Sequence, residues 1–368
     1  MHKKIALSLI IGILASAGML YLALRNVPMA DLAAYIVEIN YAWIFPSMAL
    51  IILAFVLRVV RWQLILKSEL QLGFWKAFHP LMIGFMINCI LPGRVGELAR
   101  PAILKKENSL AVTTGLATVA MERIFDIVML IILFAIFFSK MTSRPDLEIN
   151  FMGYSLTTQK LQSAAWAMIR LSLVLLVGLG LFAFTTTRRW MMGILAGGTA
   201  LISKAGARPQ RFADKALHLI NGVAERFADG LSLVRNPKRA LTCSILTVLI
   251  WTISALSYYV FTFGCPGVEL SFVEMTTFMV VVCFFIALPS APGFWGVWEA
   301  GGVFALTLFG VTTKEAAGFT LINHVINLFP IIIIGLISAL ITSVNIVQLS
   351  YGAQNSAEPQ RNIASEPS

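Results

Sequence analysis

The sequence predicts an all-α polytopic membrane protein, with six transmembrane helices plus two helices broken at Pro-Gly, re-entrant or interrupted, in an inverted repeat. Three observations predict it. Hydrophobic residues make up 58% of the 368 positions and charged residues 12%, with a mean hydropathy of +0.83, whereas soluble domains carry roughly 25% charged residues. Apolar runs long enough to cross about 30 Å of hydrocarbon at about 1.5 Å per residue occur at 5–24, 42–66, 110–138, 163–185, 240–263 and 314–349. Finally, Pro92-Gly93-x-x-Gly96 recurs as Pro292-Gly293-x-x-Gly296, an offset of 200.

The chain opens with Lys3 and Lys4 before an apolar run that continues to Leu24. That is long for the apolar core of a signal peptide, and an uncleaved first span is expected despite Ala15-Ser16-Ala17. Residues 1–40 then form the first span and an external loop, 41–140 the first repeat, and 141–239 a linking span with a basic cytoplasmic segment. Residues 240–350 form the second repeat and 351–368 a polar tail. Two further apolar pieces, 78–91 and 272–288, each end at a Pro-Gly break. In 210–235, Phe212, Ala216, Leu219, Val223 and Phe227 recur at helical spacing opposite Arg211, Lys215 and Arg226, which predicts an amphipathic helix on the inner leaflet.

Loop charge sets the orientation. With the N-terminus inside, the cytoplasmic segments hold nineteen Lys and Arg and the outer segments five, namely Arg25, Lys140, Arg144, Lys160 and Lys314. Both termini are therefore expected in the cytoplasm, with the protein multi-pass in the cell's inner membrane. The net charge of +10 follows from that topology and from anionic inner-leaflet headgroups, so no nucleic-acid partner is needed. Membrane lipids are the expected ligands, and a lipid-biosynthesis enzyme or a second copy of the chain are the protein partners this reading admits. Cys89, Cys243, Cys265 and Cys283 lie in or beside apolar runs without metal-site spacing, and no G-x-x-x-x-G-K-[ST] occurs. No metal and no cofactor are expected.

Within this apolar chain, "LPGRVGELARP" is anomalous. Proline and glycine break the helix, and the freed backbone groups have to be buried in protein or line a wet cavity. If a half-helix starts near Arg94, its N-H groups and positive dipole end favour an anion, and Arg94 and Arg100 add guanidinium donors suited to phosphate. Glu97 would pair with either arginine or with a cationic headgroup. A cytoplasmic loop with solvated charges is the plainer alternative. The next constellation is "MERIFDIVML", where Glu122 stands mid-span at a cost of about 2.5–3.5 kcal/mol unless partnered. Glu122 and Asp126 share a face, and Arg123 lies at i, i+3 from Asp126. They read as a polar lining of a substrate route or as a structural salt bridge. In the second copy, Glu299 follows the break, and Asn323 and Asn327 replace Glu122 and Asp126 at an offset of 201. His324 beside them adds an imidazole, which reads as a structural hydrogen-bonding group or as a proton relay. Arg58 and Arg61, towards the cytoplasmic end of the second span, read as snorkelling side chains in preference to headgroup-binding ones.

"PGRVGELAR", "ERIFD" and "PSAPGFWGVWEA" followed by "LFGV" resemble the signature of the flippase-like family that includes the transmembrane region of bacterial lysylphosphatidylglycerol synthases, archaeal glycosylation-associated members and hopanoid-associated members. The resemblance covers roughly 40–345. It implies an inner-membrane protein that moves a polar lipid between leaflets. Members of that family often carry a second glycine after each Pro-Gly, where this chain has Arg94 and Phe294. The aminoacyl-transfer domain of the synthases is not expected, because only polar residues follow the last span, and the chain is therefore not expected to be an enzyme. A membrane-embedded enzyme on lipid headgroups and a non-transporting accessory subunit of lipid or envelope biosynthesis are the alternatives.

Overall fold

The computed structural model describes residues 2–141 except 68, 92, 93 and 109, then 148–151 and 154–157, scattered positions between 159 and 193, and 236–344 except 289. The break residues Pro92 and Gly93, most of the expected span 163–185 and the amphipathic segment 210–235 lie outside the described residues.

The chain starts with α1 (His2–Leu24), which turns by 79° into α2 (Met29–Glu38). Pro28 at the start of α2 fixes an extended backbone there, φ −58° and ψ 132°, and so ends the first helix direction. A 3₁₀ turn (Tyr41–Trp43), capped by the Asn40 side chain, leads into α3 (Ile44–Leu66). Next come α4 (Phe74–Ile90), α5 (Gly96–Asn108) and α6 (Val112–Met141). A short antiparallel hairpin, β1 (Glu148–Phe151) with β2 (Tyr154–Thr157), follows where the sequence reading placed no strand. The second half holds α7 (Pro237–Thr262), α8 (Phe272–Phe285), a 3₁₀ turn (Pro292–Phe294), α9 (Val297–Thr307) and α10 (Thr313–Ile341). Capping boxes start α8 and α10, where Ser271 pairs with Glu274 and Thr312 with Glu315.

Three described helices are long and apolar enough to cross a membrane, Tyr41–Leu66, Pro237–Thr262 and Thr313–Ile341, and the bent α1–α2 pair passes the same test together. Their surface is inverted relative to a soluble fold. Phe45, Leu241 and Leu340 are exposed while Arg61, Arg100 and Glu122 are buried, the pattern expected where the outer solvent is lipid.

α3 and α7 form the most extensive helix pair, with α4 lying along α10. Between them, Phe278 meets Phe319 edge to face at 5.5 Å and Phe261 lies 5.2 Å from Phe319. Tyr35 of α2 covers Gly318 of α10 and donates to the Pro266 carbonyl at 2.9 Å. A side chain at 318 would collide with the Tyr35 ring, so glycine is required for that approach.

The two breaks meet. α4 contacts the 3₁₀ turn at Pro292–Phe294, and Arg94 donates to the Ile286 carbonyl at 3.2 Å. Each break uses a left-handed backbone, with φ of +55° at Arg94 and +61° at Phe294. Gly293 and Gly296 also have positive φ, and a side chain at Gly296 would strike the Ser16 carbonyl of α1.

Candidate functional site

The polar interior is built on α3, α5, α6 and α7. Arg100 of α5 and Glu122 of α6 approach to 2.7 Å with side chains 3% and 2% exposed. The Arg100 guanidinium lies 4.1 Å over the Trp62 ring, a cation–π contact that adds stabilisation in a dry site. Trp62 is itself held by a bond from its Nε1 to Thr118 Oγ1 at 3.2 Å. One turn along α6, Asp126 accepts from both terminal nitrogens of Arg61, at 2.8 and 3.2 Å. This two-point geometry makes the pair specific as well as strong. Trp251 Nε1 also donates to Asp126 at 3.3 Å, and Arg61 donates to Thr247 at 2.8 Å. Arg123 lies 3.4 Å from Asp126 and 3.9 Å from Glu97.

Arg61 is therefore not a snorkelling residue: it is 1% exposed and anchors α3 to α6 and α7. Arg58 is likewise turned inward. It lines the cavity beside these pairs, lies 5.0 Å over the Phe55 ring and reaches Ser254 Oγ at 3.5 Å. No periodicity argument distinguishes an arginine that rises to the interface from one that turns into the bundle.

The cavity has two lobes sharing Phe55, Arg58, Cys89, Phe294 and Ile331. One lobe is cationic, walled by Arg58, Arg94, Glu97, Arg100 and Arg123. Counting Arg61 and the carboxylates behind the wall, five arginines face Glu97, Glu122 and Asp126, an excess of two positive charges. Arg58 and Arg94 have no carboxylate within ion-pair distance among the described residues. Nε and Nη2 of Arg100 are buried without a hydrogen-bond partner. Buried donors without a partner carry a desolvation cost, which the contacts of Arg100 with Glu122 and the Trp62 ring offset. The α5 N-terminus itself is not a free anion cradle, because Asn88 Oδ1 accepts the Gly96 N-H at 2.8 Å. α4 and α5 meet so closely there that a side chain at Gly96 would collide with the Gly84 carbonyl.

The other lobe is lined by Trp251, Tyr258, Trp298, His324 and Asn327. Glu299 and His324, both buried, join at 2.6 Å between Oε1 and Nδ1. Asn323 is buried, and Asn327 Nδ2 donates to its backbone and side-chain oxygens at 2.8 and 3.2 Å. The fold thus gathers Arg94, Glu97, Arg100 and Arg123 on one lobe, with Glu122 and Asp126 pairing from behind. It places His324 and Asn327 on the other, with Glu299 behind His324. Trp62, Trp251, Trp298, Asn88 and Thr247, which hold these groups in place, carry no local sequence signal that separates them from ordinary core or span residues.

The Glycosyltransferase AglD of Haloferax volcanii is 23% identical over 371 residues, covering 95% of this chain and 56% of that protein. The chain therefore spans about half the length of this curated relative. The family described as the lysylphosphatidylglycerol synthase TM region matches residues 9–335, a stretch that takes in both breaks and both cavity lobes, and the chain belongs to that family.

Proposed function

We propose that this protein moves a polar lipid with an anionic, phosphate-bearing headgroup between the leaflets of the cell's inner membrane. One observation carries the reading: a largely apolar bundle holds an open cavity with two positive charges in excess, on guanidiniums that lack carboxylate partners among the described residues. Arg58 is partly buried and Arg94 opens to solvent at the cavity mouth, so both guanidiniums can be reached from outside, and a phosphate diester held by them supplies the balancing negative charge with geometry suited to guanidinium. The headgroup occupies the cavity while the acyl chains stay in lipid.

In this reading the two halves are an inverted repeat. Each runs a long helix, a broken pair and a second long helix, α3, α4–α5, α6 and then α7, α8–α9, α10, and such repeats build alternating access around a central site. Six spans place both termini in the cytoplasm. The chain itself transfers no chemical group, and the energy comes from a gradient or from the lipid's own distribution. The test is leaflet exchange of a panel of labelled lipids in proteoliposomes. Exchange of phosphate-bearing anionic lipids above protein-free vesicles supports the reading, and a panel without exchange rejects it.

The likeness to a protein named a glycosyltransferase favours a second reading, in which the chain is the membrane component accompanying an enzyme on lipid headgroups. Purified protein that neither exchanges lipid nor forms product, but copurifies with such an enzyme, supports it.

A further inference from the structure

We infer that Glu299 and His324 form a proton-binding site and that the bound proton holds the second break closed. The inference rests on the transport reading for its purpose, but the site stands on its own geometry. His324 Nε2 lies 2.8 Å from the Gly293 carbonyl oxygen and Nδ1 lies 2.6 Å from Glu299 Oε1. A carbonyl only accepts, so Nε2 carries a hydrogen. The short Nδ1–Oε1 contact needs a second one, since two lone pairs facing each other would repel. The pair therefore holds one proton more than a neutral imidazole beside a carboxylate. Its charge sits on the ring, which lies parallel to Trp298 at 4.5 Å and 4° and 4.5 Å from Trp295, because the π faces favour an imidazolium.

That proton closes a chain of contacts across the break. Glu299 Oε2 accepts the Gly296 N-H at 2.6 Å, fixing the start of α9. His324, from α10, grips the Gly293 carbonyl on the other side. Between the two anchors sits Phe294, whose backbone is left-handed and whose ring lines both cavity lobes. Loss of the proton from Nδ1 to water in the cavity leaves a carboxylate facing a lone pair at a site 0–1% exposed. The one hydrogen left on the neutral ring serves Glu299 or the Gly293 carbonyl but not both, so the double grip across the break is lost and Phe294 is free to leave its left-handed conformation, which changes the passage between the lobes. The other titratable groups on the same cavity wall are Arg58 from α3, Cys89 from α4, Tyr258 from α7 and Cys283 from α8. α1 faces the break with Ser16, which accepts from the Ala291 N-H at 2.7 Å. Glu299 is the one carboxylate paired with the ring among the described residues.

The first test reads the site without transport. Tryptophan emission of the purified full chain in detergent is followed while pH is raised over the range in which the protein stays folded. A protonated imidazole stacked on indole quenches it, so the native protein should show a reversible rise that His324→Gln lacks and that Trp298→Phe diminishes. A flat native profile, or a step that persists in His324→Gln, overturns the proposal. Should His324→Gln fail to fold, the loss of amplitude in Trp298→Phe decides. The second test is lipid exchange with and without an imposed pH gradient. Native exchange should respond to the gradient and Glu299→Gln exchange should not. A fluorescence step without any exchange retains the proton site and removes the transport reading. Exchange that ignores the gradient, in a protein without the step, does the reverse.

Discussion

Replacing Arg94 by glycine and, separately, by alanine isolates the backbone cost at the first break. Arg94 sits at φ +55°, where an L-residue costs about 1–2 kcal/mol. Both substitutions remove the guanidinium and its bond to the Ile286 carbonyl, so those losses cancel between them. Glycine escapes the left-handed penalty but gives back about 0.5–1 kcal/mol in unfolded-chain entropy. Arg94→Gly should therefore be more stable than Arg94→Ala by about 1 kcal/mol, roughly a fivefold difference in the folded-to-unfolded ratio. Reversible denaturation in mixed micelles measures it as a shift in midpoint. The same comparison at Phe294, φ +61°, should give the same sign. Equal midpoints, or a more stable alanine variant, would refute the claim that these positions keep a side chain against a backbone that favours glycine. The functional half is that Arg94→Gly exchanges anionic lipid more slowly than the native protein while Arg94→Lys retains part of the rate. Native-like exchange by Arg94→Gly would mean that the strain is not kept for the guanidinium.

Glu122→Gln leaves the buried Arg100 uncompensated and should cost about 3–5 kcal/mol in the same denaturation assay, whereas Arg100→Met with Glu122→Leu should come within about 1–2 kcal/mol of the native protein. A mild single substitution would show that the pair is solvated. Gly96→Ala drives a methyl into the Gly84 carbonyl and should destabilise by about 1–3 kcal/mol, read as a lower midpoint. Asp126→Asn removes the charge from the Arg61 pair but keeps one acceptor for Trp251. It should therefore destabilise more than Trp251→Phe, which deletes a single bond at 3.3 Å worth about 0.5–1.5 kcal/mol net.

The long helices were legible because their hydrophobic runs are long and their ends are punctuated. The run 42–66 became Ile44–Leu66 and 240–263 became Pro237–Thr262, started by Asn236 and Pro237. The breaks were legible through proline and glycine, and the residue that follows each Pro-Gly proved to need the conformation that glycine supplies. The pairings were not legible. Arg61 and Asp126 are 65 positions apart and Glu299 and His324 are 25 apart, separations at which periodicity says nothing about which faces meet. The i, i+3 rule did anticipate Arg123 near Asp126, but the shorter contact belongs to Arg61, on another helix. Pro28 marks where α1 and α2 part, but the 79° size of the turn goes with packing of α1 on α9 and of α2 on α10, which a hydropathy run cannot encode.

The most direct measurement is the exchange rate of a phosphate-bearing anionic lipid and of a zwitterionic one in proteoliposomes holding the native protein or the Arg58→Ala/Arg94→Ala variant at matched folded amounts. Those two arginines carry the excess charge of the cavity without a carboxylate partner among the described residues. The native protein should prefer the anionic lipid and the variant should lose about tenfold or more of that rate, the equivalent of about 1.4 kcal/mol, while its zwitterionic exchange changes little. Equal loss for both lipids, or no loss for either, would contradict this expectation.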